Sequence, residues 1–464
     1  MKIMLIYPNF RMALAKMGLG RFMMTVSPPL GIAYISAYLR SRGYEAIIVD
    51  ANAENLSERE VVLRIKRFRP DLVGFSIHTE VIFNAKIAEE IKRYDHRIIT
   101  VAGGVAPSYI PRLILEKFTM FDFAVIGEGE MILHSLINTL EKKERLDKVK
   151  GIAYRQDGRV MLTPKQEYIQ DLDSLPFPDR GSLPNNLYGI SLRGPITLIE
   201  TSRGCSGNCW FCAIATMFGS KIRTRDPQKV VAEIEESYCN YDIDFFILID
   251  NTFTARKEYV YAITDEIIKR RLHKKIRWRC MTRVDCVDEQ ILKNMRRAGC
   301  REIGFGVESP HQDTLNFYRK GTTLKEVENA FALAKKAGLS TAALMIVNQY
   351  ERNLDGAGKE TIKFVKRIKA KRMILQPLIV YPQSSLHKYL LMKGRIKDEN
   401  YNPFFEGKYL ESKYIDFKRL IKITNNMYLS FYISLDYFIV VIKNIPLWKI
   451  LHKIRIYLKN LFYK

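Results

Sequence analysis

Residues 195–212 read PITLIETSRGCSGNCWFC. The first half is a short apolar run that ends in turn residues. The second half sets Cys205, Cys209 and Cys212 in a C-x-x-x-C-x-x-C spacing. The run reads as a strand, and the cysteines fall on the loop that leaves it. Five more strand-like runs follow: DFFILID, IRWRCM, EIGFGVE, TAALMIV and RMILQPL. Helical patterns such as PQKVVAEIEESY and LKEVENAFALAKKAG separate them. Six βα units over residues 191–392 predict a partial (β/α)6 barrel, whose active site lies on the loops after the strands. The three cysteines therefore sit where barrel chemistry is expected.

Upstream, residues 1–145 alternate apolar runs (KIMLIYP, EAIIVDA, PDLVGFSI, RIITVAGG, FDFAVIGEGE) with amphipathic stretches. Continuous apolar strands of this kind imply a parallel sheet covered on both faces, a doubly wound α/β domain. Its ligand crevice lies at the carboxyl ends of the strands. Turn residues gather at that edge: Ser76, His78 and Thr79, then Gly103 and Gly104, then Gly127, Glu128 and Gly129. Three such turns on one edge point to a ligand site, with ordinary strand-to-helix turns as the alternative. No G-x-G-x-x-G follows the first strand, which argues against a dinucleotide. Residues 146–190 read as a connector: a hairpin around Asp157-Gly158, then an extended Pro- and Asp-rich linker.

The net charge of +24 admits nucleic acid, an anionic membrane or an acidic substrate as partners. Within residues 393–464, ten Lys or Arg from Ser412 onward stand against Asp416 and Asp436, about a third of the excess. There the basic residues alternate with large apolar ones, which suits an interfacial amphipathic helix or a helical cap on the barrel. Neither this pattern nor any appended module suits phosphate tracking, so no nucleic-acid partner is expected. The run Tyr428–Ile442 is too short to span a bilayer. The start, MKIMLIYPNF, reads as a strand rather than a signal peptide. With only seven cysteines, the chain is expected in a reducing cytoplasm.

In that setting a cysteine cluster implies metal or catalysis. Structural zinc needs a fourth ligand, and the nearest histidines, His134 and His273, are far along the chain. Three free thiols on a loop would be an oxidation liability. A 4Fe–4S cluster fits better: three irons take the three sulfurs and the fourth stays open for a substrate or cosubstrate.

The stretch RGCSGNCWFC resembles the cluster motif of the radical S-adenosylmethionine (radical SAM) superfamily, with Phe211 at its aromatic position. The resemblance extends to FFILIDNTFT, ending in Asp250 and Asn251, and to CMTRVDCVDEQILKNMRRAGCREIGFGVES, with Arg283 and Glu308. It implies that Phe211, Asp250, Arg283 and Glu308 help hold S-adenosylmethionine on the open iron. It also implies that one electron cleaves the cosubstrate to a 5′-deoxyadenosyl radical. Residues 1–145 resemble the cobalamin-binding domain that precedes this barrel in a branch of methyltransferases and oxidative cyclases. That likeness makes the turn residues named above candidate cobalamin contacts. The chain departs from the branch in lacking D-x-H-x-x-G, in reading GGVAPS with Ala106 where His is common, and in VNQYERNLDG after the fifth barrel strand. The function so implied is cobalamin-dependent methyl transfer to an unactivated carbon. Ring closure, oxidation or carbon–carbon coupling is the alternative, and RNA modification is a third. The tail adds a hydrophobic or lipid-like substrate and peripheral contact with the inner membrane face. The radical chemistry adds an electron donor such as flavodoxin or ferredoxin.

Overall fold

The computed structural model describes residues 1–10, 26–78, 81–189, 195–347, 354–396 and 417–432. The first sheet is built from β1 (Lys2–Tyr7), β2 (Glu45–Asp50), β3 (Leu72–Ser76), β4 (Ile99–Gly103), β5 (Phe123–Val125), β6 (Ile152–Gln156) and β7 (Arg159–Leu162). Its order is β2-β1-β3-β4-β5-β6-β7. The first five strands are parallel, as their continuous apolar character predicts. Helices Leu30–Ser41 and Gly129–Glu141 cover one face; Glu58–Phe68 and Val81–Tyr94 cover the other. The order reverses between β1 and β3, which sets the ligand crevice there.

The hairpin lies where the sequence indicates, but it is more than a connector. β6 and β7 pair antiparallel onto β5 and extend the first sheet. Three-residue β5 would otherwise expose an unpaired edge. Asp157 (φ 49°) and Gly158 (φ 75°) supply the paired positive φ of a tight hairpin turn.

The second sheet holds β8 (Ile196–Ile199), β11 (Phe245–Leu248), β12 (Arg277–Thr282), β13 (Cys300–Glu308), β14 (Ser340–Ile346) and β15 (Arg372–Gln376). These strands are parallel and neighbours in sequence order. This is the open six-unit barrel that the alternation predicts. A small antiparallel pair, β9 (Ser202–Arg203) with β10 (Arg223–Thr224), closes the neck of the cysteine loop. The two sheets share a core: Ile3 and Leu5 of β1 belong to one buried cluster with Ile196, Phe245 and Ile247 of the barrel.

Of the tail, helix Phe417–Tyr432 packs on the barrel, with Leu420, Met427, Tyr428 and Phe431 buried. The cap reading holds for this segment. Residues 397–416 and 433–464, the rest of the basic tail, lie outside the described residues. Among the described residues no helix is long and apolar enough to cross a membrane.

Candidate active site

The cysteine loop begins at a left-handed Gly204 (φ 97°), where any Cβ would overlap the Lys221 carbonyl. Only glycine lets the chain turn out of β9 so close to the returning strand. Gly207 sits among the sulfurs. A Cβ built there falls 3.4 Å from Cys205 Sγ, 3.7 Å from Arg283 Nη1 and 3.9 Å from Cys209 Sγ. The loop is pinned from outside, as the Trp210 N–H donates to the Tyr318 carbonyl (2.9 Å) and the Leu386 N–H to that of Trp210 (3.0 Å). Phe211 stands edge-on to Tyr318, with centroids 5.3 Å apart.

Burial pushes the Cys212 thiol up to about 11 and raises that of Cys209, against the pull of Lys320 and Arg283. Uncoordinated, these groups are thiols at neutral pH; a metal that binds them displaces the protons. Among the described residues no three His, Cys, Asp or Glu side chains converge on a single-ion site. A cubane is a larger body that takes its ligands on separate corners, so the donor set and the Gly207 cradle fit a 4Fe–4S cluster.

Cations border this loop. Arg283, held bidentate by Asp285 (2.9 and 2.8 Å), keeps Nη1 4.0 Å from Cys209 Sγ. Glu308 ends β13 at φ 68°, beside a register shift in the ladder to β14. Its Oε1 accepts from Lys320 Nζ at 2.8 Å. Lys320 is 6% exposed, and sequence reasoning misses it. A fully buried lysine is rare enough to mark a site, but burial is not visible in the sequence. Gly306 makes the space, since a Cβ there would lie 2.8 Å from Lys320 Nζ and 2.7 Å from Glu308 Oε1. Asp250 is placed differently from these. Its Oδ1 accepts from Thr201 (2.8 Å) and Ser202 (2.5 Å), so it braces the turn into the loop. Its carboxyl is raised by burial, and Oδ2 has no partner among the described residues.

The second element is a cavity of about 250 Å³ at the carboxyl ends of β1, β3, β4 and β5. Ser76, Gly103, Gly104, Gly127, Glu128 and Gly129 all line it. Gly127 (φ 94°) faces open space, whereas Gly104 (φ 98°) lets its backbone pack on Ile77. Glu128 is not a free carboxylate: Arg203 and Arg223 take both its oxygens, and the Ile169 N–H donates to one. His78 lies away from the cavity lining, with Nε2 3.4 Å from the Tyr381 hydroxyl. Thr79 is outside the described residues, as are positions 348–353 of the VNQYERNLDG loop. Ala106 is fully buried, in a short helix begun by Gly104. The far wall of the cavity comes from the barrel: Glu200, Arg203 and Ile249, with Met217 and Phe218 from the helix after Cys212.

A doubly wound cavity facing a three-cysteine barrel loop defines a class, and the comparisons agree. Residues 24–137 match the B12 binding domain family and residues 199–356 the radical SAM superfamily. The chain belongs to the radical SAM enzymes that carry a cobalamin-binding domain in front of the barrel. Their cofactors are a 4Fe–4S cluster, S-adenosylmethionine and cobalamin.

Within that class, an uncharacterized methyltransferase of Pyrococcus horikoshii is 29% identical over 93% of this chain and 93% of its own length. The anaerobic magnesium-protoporphyrin IX monomethyl ester cyclase of Rubrivivax gelatinosus is 33% identical over 75% of this chain. The chain spans only 62% of that cyclase. Among solved structures, the radical S-adenosylmethionine methyltransferase TsrM of Kitasatospora setae superposes with a TM-score of 0.71 at 19% identity. It covers 84% of this chain and 76% of its own.

Proposed function

We propose that this chain is a cobalamin-dependent radical SAM methyltransferase that methylates an unactivated carbon of a hydrophobic, lipid-like substrate. The observation that carries it is the shared wall: the helix after Cys212 supplies Met217 and Phe218 to the cavity of the first domain. A cofactor in that cavity faces the loop that would hold the cluster. The bound cofactors supply radical generation from S-adenosylmethionine and a transferable methyl group.

The chain's own residues bind and orient. Cys205, Cys209 and Cys212 would ligate three irons. The paired charges of Glu308 and Lys320, with Arg283, suit the ammonium and carboxylate of S-adenosylmethionine. Phe211 would flank the loop, and Asp250 would act through the Thr201–Ser202 turn. Ser76, Gly103, Gly127 and Gly129 leave room for the cobalamin side, with Gly104 and Glu128 shaping the wall. His78 follows β3 at the same edge of the sheet.

The lipid-like substrate and peripheral contact with the inner membrane face rest on the basic, aliphatic tail. Flavodoxin or ferredoxin would supply the electron in the cytoplasm. A cyclase reading has one specific support, the identity to the Rubrivivax enzyme. Anaerobic reconstitution with iron, sulfide and cobalt counts tests the cofactors, and protein that takes up no cobalt overturns the methyltransferase. Product mass separates the two readings, because methylation adds a CH2 unit and cyclisation removes hydrogen.

A further inference from the structure

Arg203 occupies an unusual place. It is 4% exposed, it ends the neck strand β9, and only Gly204 separates it from Cys205. All three nitrogens of its guanidinium are engaged. Nε donates to Glu200 Oε2 (2.8 Å), Nη1 to Glu128 Oε1 (3.1 Å) and Nη2 to Glu130 Oε1 (2.7 Å). The Tyr34 ring lies against its face, 5.5 Å from Cζ. Glu200 belongs to the barrel; Glu128 and Glu130 belong to the GEGE turn after β5, next to Gly127 at the cavity. Arg223, paired with Arg203 across the neck, holds Glu128 from the other side (2.9 and 3.0 Å). One buried fork thus touches the barrel, the first domain and the root of the cysteine loop.

Two further arginines, Arg180 and Arg225, share Glu233 in the same buried layer (2.6 and 2.5 Å). Four arginines then stand against Glu128, Glu130, Glu200 and Glu233, with Asp173 Oδ1 a further 4.0 Å from Arg225 Nε, so the layer holds no excess of positive charge. It is not an anion site waiting for a cofactor phosphate. A planar guanidinium held at three corners in low dielectric restrains distance and orientation together. A lysine in its place keeps the charge but can meet only part of that geometry.

We infer that Arg203 is a positioning residue, which sets the separation between the cobalamin cavity and the cluster loop through Glu128, Glu130 and Glu200. This rests on the cofactor sites proposed above. It goes beyond them by assigning the fixed spacing to one side chain, which stands in the far wall of the cavity and at the root of the cysteine loop.

The test uses the full-length protein, reconstituted anaerobically with iron and sulfide and loaded with hydroxocobalamin. On reduction, cob(II)alamin and the reduced cluster are both paramagnetic. Pulsed dipolar electron paramagnetic resonance then reads the distance distribution between them. Arg203→Lys removes the fork and Glu130→Gln removes one charge with little change of shape. The expected result is a narrow distribution in the parent and a broadened or shifted one in both variants, read from the molecules that hold both cofactors. Distributions superimposable on the parent's, whatever the loss of thermal stability, overturn the inference while leaving the proposed function intact. If Arg203→Lys fails to fold, Glu130→Gln decides alone. A parent protein that takes up no cobalamin overturns both the reading and the inference.

Discussion

Lys320 joins the candidate S-adenosylmethionine site to fold stability. Burial pulls its pKa down, but the Glu308 carboxylate beside it, by charge and by hydrogen bond, outweighs this, so the ammonium stays charged. Removing one side of a buried ion pair costs about 3–5 kcal/mol. Lys320→Met should therefore lower the melting temperature and weaken S-adenosylmethionine binding, read by calorimetry. Adding Glu308→Gln should return part of the stability but none of the affinity. A double variant no more stable than Lys320→Met would mean that the pair is not the source of the loss. At this scale the sequence announces Cys205, Cys209 and Cys212 by their spacing, and Arg283 and Glu308 by the strands they end. Lys320 and Arg203 carry no such mark, because a lysine in YRKG or an arginine in TSRGC reads as a surface charge until packing covers it.

At the scale of elements, the neck of the cysteine loop and the free edge of the barrel are the points of tension. Gly204→Ala forces a side chain into left-handed backbone, at about 1–2 kcal/mol before the overlap with Lys221 is counted. The expected outcome is a folded protein that takes up markedly less iron in reconstitution; wild-type iron content would show that the neck tolerates the change. At the other end, β15 is the last strand of an open sheet. The tyrosines of helix Phe417–Tyr432 cover its outer edge. The Leu375 N–H donates to Tyr428 Oη (3.0 Å) and the Met373 N–H to Tyr432 Oη (3.2 Å). Tyr432 Oη in turn donates to the Met373 carbonyl (3.1 Å). Leaving a buried backbone group unmet costs about 1–3 kcal/mol. Tyr428→Phe and Tyr432→Phe should each lower the melting temperature, and the double variant more. The sequence shows a basic aromatic tail here, but not that two hydroxyls finish a sheet.

For the whole molecule, the shared core matters most. Ile196, Phe245 and Ile247 face the first domain rather than solvent, so the two units form one continuous body around the cavity. The tail divides in two by the same logic. Its described helix, Phe417–Tyr432, is part of that body, which leaves residues 433–464 for the membrane contact proposed above. Truncation after Tyr432 should leave iron and cobalt content unchanged and abolish sedimentation with anionic liposomes. Liposome binding that survives truncation would remove the tail from that role.

The order of a doubly wound domain, hairpin and six-unit barrel was legible in the chain by itself, because apolar periodicity and turn residues are local properties. So was the three-cysteine loop, because its ligands lie within eight residues, Cys205–Cys212. The tertiary structure alone decided three other things. It joined the hairpin to the first sheet, it tied the cavity-lining Glu128 into a buried ion-pair hub, and it walled the cavity with residues that follow Cys212. The reason is the same in each case: burial and charge pairing arise between segments far apart in sequence, and only the folded chain brings them into contact.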